Sequence, residues 1–165
     1  MRLAVIDAYS ISLWLHITAV VVGFGATFAE ALMFPVALKL STRYLPYVHR
    51  LQLAINQFLA GPALVLILLT GIYQTIDLDL SFGEPWISAT LAIVIVIGGL
   101  LGAYFIPEDR RLVAMVEREI AAAGQGEPTL SDEYQRRARR EGVVGAITGI
   151  LIVVAIFLMV TKPGA

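Results

Sequence analysis

Two ionisable side chains, His16 and Glu30, sit in a stretch from Tyr9 to Phe34 that is otherwise free of charge. Such groups are expensive in hydrocarbon and are functional candidates by default. At 100° per residue, Gly23, Thr27 and Glu30 fall within about 40° of His16 if the stretch is helical. Ala19 and Ala26 flank them, so one stripe of the helix is small and polar. A neutral imidazole can bond a hydroxyl or carbonyl, carry protons, or ligate haem b or copper. A carboxyl at Glu30 can relay protons or cations, or join two helices through hydrogen bonds. The bland alternative for the stripe is a packing face, where small residues let helices approach and polar ones bond across.

Partners are expected at matching depth. Near Glu30, helical spacing puts His49, Gln52 and Asn56 on one face of a second helix, with Arg50 able to snorkel to the same level. Glu30 should therefore accept a hydrogen bond from Gln52, Asn56 or Arg50. His16, nearer the opposite surface, should lie within reach of Tyr73, Gln74 or Thr90. The only other histidine, His49, is separated from His16 by most of a membrane thickness, so the two cannot share one haem within a monomer. The candidate intramembrane polar site is His16, Glu30, Gln52 and Asn56. No catalytic residue is assigned, and His16 is the metal ligand if there is one.

The elements that carry these residues must be membrane spans. The chain has 165 residues, 58% hydrophobic and 15% charged, with a mean hydropathy of +0.81. Soluble domains average about 45–50% apolar and about 25% charged. The excess comes in four blocks: Tyr9 to Phe34, Leu53 to Ile76, Trp86 to Ile106 and Gly142 to Thr161. Each exceeds or approaches the roughly 20 helical residues that cross hydrocarbon. The expected fold is an all-α bundle of four transmembrane helices, one integral membrane domain over residues 1–165. A short helical segment, 107–141, joins the third and fourth helices. A soluble enzyme, a nucleic-acid binder and a disulfide scaffold are excluded; there are no cysteines and the net charge is -1.

Proline and glycine give the punctuation. Pro35 and Pro107 are expected to end the first and third helices, and Pro62 beside Gly61 to kink the second. Pro85 sits at the start of the third, where a missing N–H costs nothing. Ser131 followed by Asp132 and Glu133 reads as a helix start. Gly98-x3-Gly102 and Gly145-x3-Gly149 predict close helix crossings, within the bundle or in a homodimer. Ala29-Glu30-Ala31 resembles a cleavage site, but the apolar run before it is too long for a signal core, so the first span is expected to be retained.

Orientation follows from charge. Ten of the twelve Lys and Arg residues lie in the first and third connections, whereas the second carries only Asp77, Asp79 and Glu84. The positive-inside rule puts both basic connections in the cytoplasm and both termini outside, in a bacterial inner membrane.

Leu15-His16 opening the first helix, the glycines at 23 and 25, Pro35, Gly61-Pro62, Gly71, Trp86 opening the third helix and Thr161-Lys162-Pro163 ending the fourth form a pattern. It resembles the small integral membrane proteins of a bacterial domain-of-unknown-function family. It is also distantly similar to HemJ-type protoporphyrinogen oxidases and to copper-resistance D membrane domains. The oxidase resemblance implies a lysine shortly after the opening tryptophan of the third helix. Here Trp86 is followed by Ile87, Ser88, Ala89 and Thr90, so the expected partner of His16 is missing and an enzyme is disfavoured. The leading expectation is an accessory or scaffold membrane protein that works through the bilayer, a homodimer or a membrane-protein partner. A haem- or copper-handling protein using His16, and a proton-coupled carrier using Glu30, are the alternatives.

Overall fold

The computed structural model describes residues 7–164; Arg2, one of the two basic residues outside the basic connections, lies outside them. Four helical rods, each long and apolar enough to cross a membrane, make up the fold, and no strand occurs among the described residues. The first rod is α1 (Ala8–Leu38). The second runs from Thr42 to Asp77 as a short 3₁₀ turn, α2 (Leu45–Ile55), a π turn (Asn56–Ala60) and α3 (Gly61–Asp77). The third joins α4 (Pro85–Leu100), a π turn (Leu101–Phe105) and α5 (Ile106–Ala123). The fourth is α6 (Asp132–Thr161).

Local chemistry sets the ends. The Asp7 carboxylate accepts the Ser10 N–H at 2.7 Å and caps α1. Ser131 caps α6 by accepting the Tyr134 N–H, as the sequence signal predicts. Gly124 ends α5 at φ +56°, a conformation an L side chain resists.

Three proline expectations need correction. Pro35 lies inside α1, which runs on to Leu38. Pro107 does not end the third helix: α5 continues to Ala123. The disturbance near Pro62 is a π turn in the residues before it. Both π turns share one design. Each spans five residues and places a proline at the second position after it. Gly61 N–H reaches back to the Asn56 carbonyl, and Ile106 N–H to the Leu101 carbonyl, one residue further than in an α-helix. The widened turn makes room for a pyrrolidine ring that would otherwise hit the preceding turn. A Cβ on Gly61 would stand 3.2 Å from the Asn56 carbonyl oxygen, which favours glycine at this point.

The rods form a ring in which α1 packs closely on α3 and α4 on α6, with thinner α3–α4 and α6–α1 contacts closing it. Where α1 meets α3 the backbones touch closely, since a Cβ added to Gly23 would sit 2.6 Å from the Ala63 Cβ. The predicted Gly-x3-Gly crossings are only half formed. Gly98 faces the Leu64 side chain at 3.1 Å and Gly149 faces Phe28 at 3.6 Å, but Gly102 and Gly145 have open space.

There are two apolar cores. One, in the middle of the bundle, contains Ala19, Phe24, Ala63, Ile67, Val94, Ile97 and Ile152. The other, at the end bearing the basic connections, contains Ala37, Leu45, Val48, Leu112, Val116 and Tyr134. They draw on different forces. Lipid tails are as apolar as leucine, so the middle core depends on packing. At the basic end Arg50, Arg110, Arg111 and Arg118 are exposed around α2 and α5. That layer borders water or headgroups, and fully burying Leu45 and Leu112 there stabilises by about 1.5–3 kcal/mol each. Segment 107–141 is thus no loose loop but α5 and the first turns of α6, packed on α2 and on each other.

Candidate functional site

Between the two cores lies a polar layer to which all four rods contribute. Its first part is a closed hydrogen-bond chain. His49, 1% exposed, places Nδ1 3.0 Å from Gln52 Oε1 and Nε2 2.8 Å from the Tyr134 hydroxyl. An amide oxygen only accepts, so Nδ1 carries the ring proton and Nε2 accepts from the Tyr134 O–H. Its second part is anionic. Asn56 donates to Asp109 Oδ2 at 2.8 Å. The other oxygen of Asp109, a residue with no exposed surface, receives no N–H donor and faces the Glu141 carboxyl. Glu30 lies close enough to act on the charge of both Asp109 and Glu141, and its Oε1 is buried without a hydrogen-bond partner.

Several neighbouring bases are committed elsewhere. Arg137 donates to Glu108 at 2.9 Å and to Glu133 at 3.0 Å; Arg111 also reaches Glu108. Arg50 pairs with Glu117. Arg43 donates to the Gly124 and Gly126 carbonyls. Arg140 lies over the Tyr104 ring, 5.6 Å from its centre. Among the described residues no arginine or lysine forms an ion pair with Glu30, Asp109 or Glu141.

These carboxyls close one end of a groove of about 640 Å³ between α1 and α6. Gly23, Thr27 and Glu30 line one wall and Gly142, Gly145 and Gly149 the other. The mouth carries Phe28, Ile150 and Val153, which are 44%, 64% and 55% exposed on the lipid-facing side. Pro35, one turn after Ala31, has no N–H to give, so the Ala31 carbonyl at the groove lacks its usual helical donor.

The predicted stripe on α1 therefore turns inward along its length, but its partners differ from those expected. Gln52 bonds His49, Asn56 bonds Asp109 and Arg50 bonds Glu117, leaving Glu30 with no donor from the second helix. His16 bonds the Thr70 hydroxyl through Nδ1 at 2.8 Å, and Gly71 lets its ring approach, a Cβ there standing 3.4 Å from Cε1. Tyr73 bonds Asp77, Gln74 bonds Ser12 and Thr90 bonds its own helix at the Trp86 carbonyl. His16 belongs to a separate cavity of about 420 Å³ at the opposite end, shared with Gln74, Trp86, Met159 and Lys162. The structure thus brings together Glu30, Gln52 and Asn56 but not His16.

Asp109, Glu141 and Tyr134 were not among the sequence candidates. A signal for two of them exists. Tyr134, Glu141, Thr148 and Ala155 are all buried on α6 and recur every seven residues, which is one helical face to within about 20° per step. Asp109 carried no such signal, because it follows a proline expected to end the helix.

No curated protein and no solved structure matches the chain. A family defined as predicted integral membrane proteins does match, over residues 10–163, and that description agrees with four apolar rods spanning nearly the same residues. The chain belongs to the DUF2269 family of predicted integral membrane proteins.

Proposed function

We propose that this protein is a proton-coupled membrane carrier of the bacterial inner membrane, working through Glu30, Asp109 and Glu141, with its basic end in the cytoplasm. The observation that carries this reading is two buried carboxyls, Asp109 and Glu141, with the half-buried Glu30 lining the same groove end and no basic partner among the described residues. Facing carboxyls cannot all be ionised, so at least one proton resides among them. Proton binding there is linked to whatever other positive charge can approach. The accessory-subunit reading drew on a shortage of intramembrane chemistry, and this cluster supplies such chemistry. A chain of four spans makes a narrow bundle, so a homodimer is the natural working unit.

The test is proton movement into vesicles reconstituted with the purified protein, followed by a trapped pH dye under an imposed membrane potential. Glu30→Gln and Asp109→Asn should each abolish it, and His16→Ala should not. Equal flux in all variants and in empty vesicles removes the reading. Orientation is checked by reporters: one after Ala165 should read outside and one near Gly124 cytoplasmic.

A second reading concerns the opposite end. His16 Nδ1 is held by Thr70, which leaves Nε2 facing the cavity that Met159 also lines. An imidazole nitrogen and a thioether sulfur suit Cu(I) or haem, although the described residues hold no cluster of three His, Cys, Asp or Glu ligands. An absorption spectrum and metal analysis of purified protein test this, with Met159→Leu as the variant.

A further inference from the structure

We infer that the groove between α1 and α6 takes an amphipathic cation from the bilayer, its apolar part between the two helices and its cationic head at Glu30, Asp109 and Glu141. The inference rests on the carrier reading of the same carboxyls and names the substrate class. The geometry selects this class in three ways. The groove opens sideways between exposed apolar residues, so a solute dissolved in lipid reaches it without crossing water. Its walls are mostly apolar or small, and Phe24, Phe28 and Phe34 line it, aromatic side chains of the kind that attract a cation. Its closed end is rich in acceptors: the Glu30 Oε1 and Asp109 Oδ1 atoms that no N–H reaches, the Glu141 carboxyl and the Ala31 carbonyl that Pro35 leaves without a helical donor, beside the neutral amides of Gln52 and Asn56.

An anionic amphiphile is opposed by the same arrangement. Among the described residues no arginine or lysine pairs with the cluster, and a second negative charge would meet three carboxyls. A neutral amphiphile would gain the apolar contact, and its hydroxyl could donate one hydrogen bond, but it would leave the carboxylate charge unbalanced. A cation supplies the missing charge, and as it arrives the shared proton leaves through the basic end. Charge is conserved: one cation in, one proton out.

The groove also has room for its occupant. A Cβ at Gly142 or Gly145 meets nothing within 4 Å, unlike one at Gly23. Gly145→Leu therefore narrows the groove, starting from a position with free space and away from the close α1–α3 contact at Gly23.

The test uses the full chain in zwitterionic-lipid nanodiscs, with dodecyltrimethylammonium as the probe. Binding is read by equilibrium dialysis against empty nanodiscs, and released protons by a pH dye in weak buffer. The expected result is saturable binding of the cation, at least tenfold tighter than dodecanol or dodecyl sulfate. Gly145→Leu and the pair Glu30→Gln/Asp109→Asn should each weaken it at least tenfold, while circular dichroism and size-exclusion profiles stay as in the wild type. Equal binding of cationic and neutral probes, or unchanged affinity in Gly145→Leu, overturns the inference. So does a shift of Gly145→Leu from dimer to monomer, which would make a second copy of this chain the occupant. Cation binding without proton release would leave the inference standing and defeat the carrier reading. Proton exchange at the carboxyls with no cation binding would do the reverse.

Discussion

Tyr134→Phe removes one oxygen atom from the most enclosed hydrogen bond in the protein. Tyr134 and His49 are each 1% exposed, and the hydroxyl stands 2.8 Å from Nε2. The Gln52 oxygen holds the ring proton on Nδ1, so Nε2 is a bare acceptor that cannot satisfy itself by changing tautomer without losing the other bond. Leaving one buried polar atom unpaired costs about 1–3 kcal/mol. The ring itself stays, with its edge-to-face contact to His49 at 5.8 Å and its place in the basic-end core, so little packing energy is lost. The assay is unfolding in mixed mild and denaturing detergent micelles, followed by circular dichroism. Tyr134→Phe should be destabilised by that amount. In Tyr134→Phe/His49→Leu both partners become apolar, so the combined loss should be smaller than the sum of the single losses. Stability of Tyr134→Phe within about 0.5 kcal/mol of wild type, the range of an ordinary surface change, would refute the assigned tautomer and the closed chain.

Gly23→Ala should destabilise by about 1–3 kcal/mol in the same assay, because its Cβ would stand 2.6 Å from that of Ala63; Ala63→Gly should restore most of the loss. Glu30→Ala and Glu30→Gln should be almost equally stable, since the Glu30 Oε1 supports no donor whose partner would be lost; a large cost for Glu30→Ala alone would reveal one. The cap on α1 should depend on pH. Hydrogen bonds from the Ser10 hydroxyl and N–H hold the Asp7 carboxyl below its ordinary 3.8, so the cap's contribution is present above that pH and is lost as pH falls through the lower folded value. The midpoint of the Ser10 amide NMR titration should lie below 3.8, and a midpoint at or above that value would show the cap to be absent.

Hydropathy and charge made the four rods, the all-helical class and the inward face of α1 legible, because a span must be long and apolar and an ionisable group must turn from lipid. Helix ends were read less well, for a specific reason. A proline was taken as a stop at 35 and 107, yet in a bundle a π turn or a helix terminus nearby absorbs the ring. Missing the continuation through Pro107 placed Asp109 in a soluble connection, and with it went the strongest member of the cluster. Partner choice was beyond the sequence for a different reason. Gln52 and Asn56 do share a face, but Gln52 turns its oxygen to His49 on its own helix while Asn56 donates to Asp109 on α5. Several polar partners lie at this depth, and helical spacing along a single rod does not rank them.

The two π turns link these points. Each adds a residue to a turn, which rotates everything beyond it relative to a continuous α-helix. In the second rod the shift starts at Asn56, and in the third it ends just before Glu108 and Asp109. The turns pack near one another, with the Leu101 side chain 3.9 Å from where a Gly61 Cβ would stand. Without the extra residue in the third rod, the buried pair Glu108 and Asp109 would swing by roughly 100° about the helix axis. Glu108 would leave Arg137, and Asp109 would leave Asn56 and Glu141. The same devices that let prolines exist inside the spans thus aim the carboxyls at the groove. That is why the site lies where the helices are least regular, between a core that packs in lipid and a core that buries surface from water.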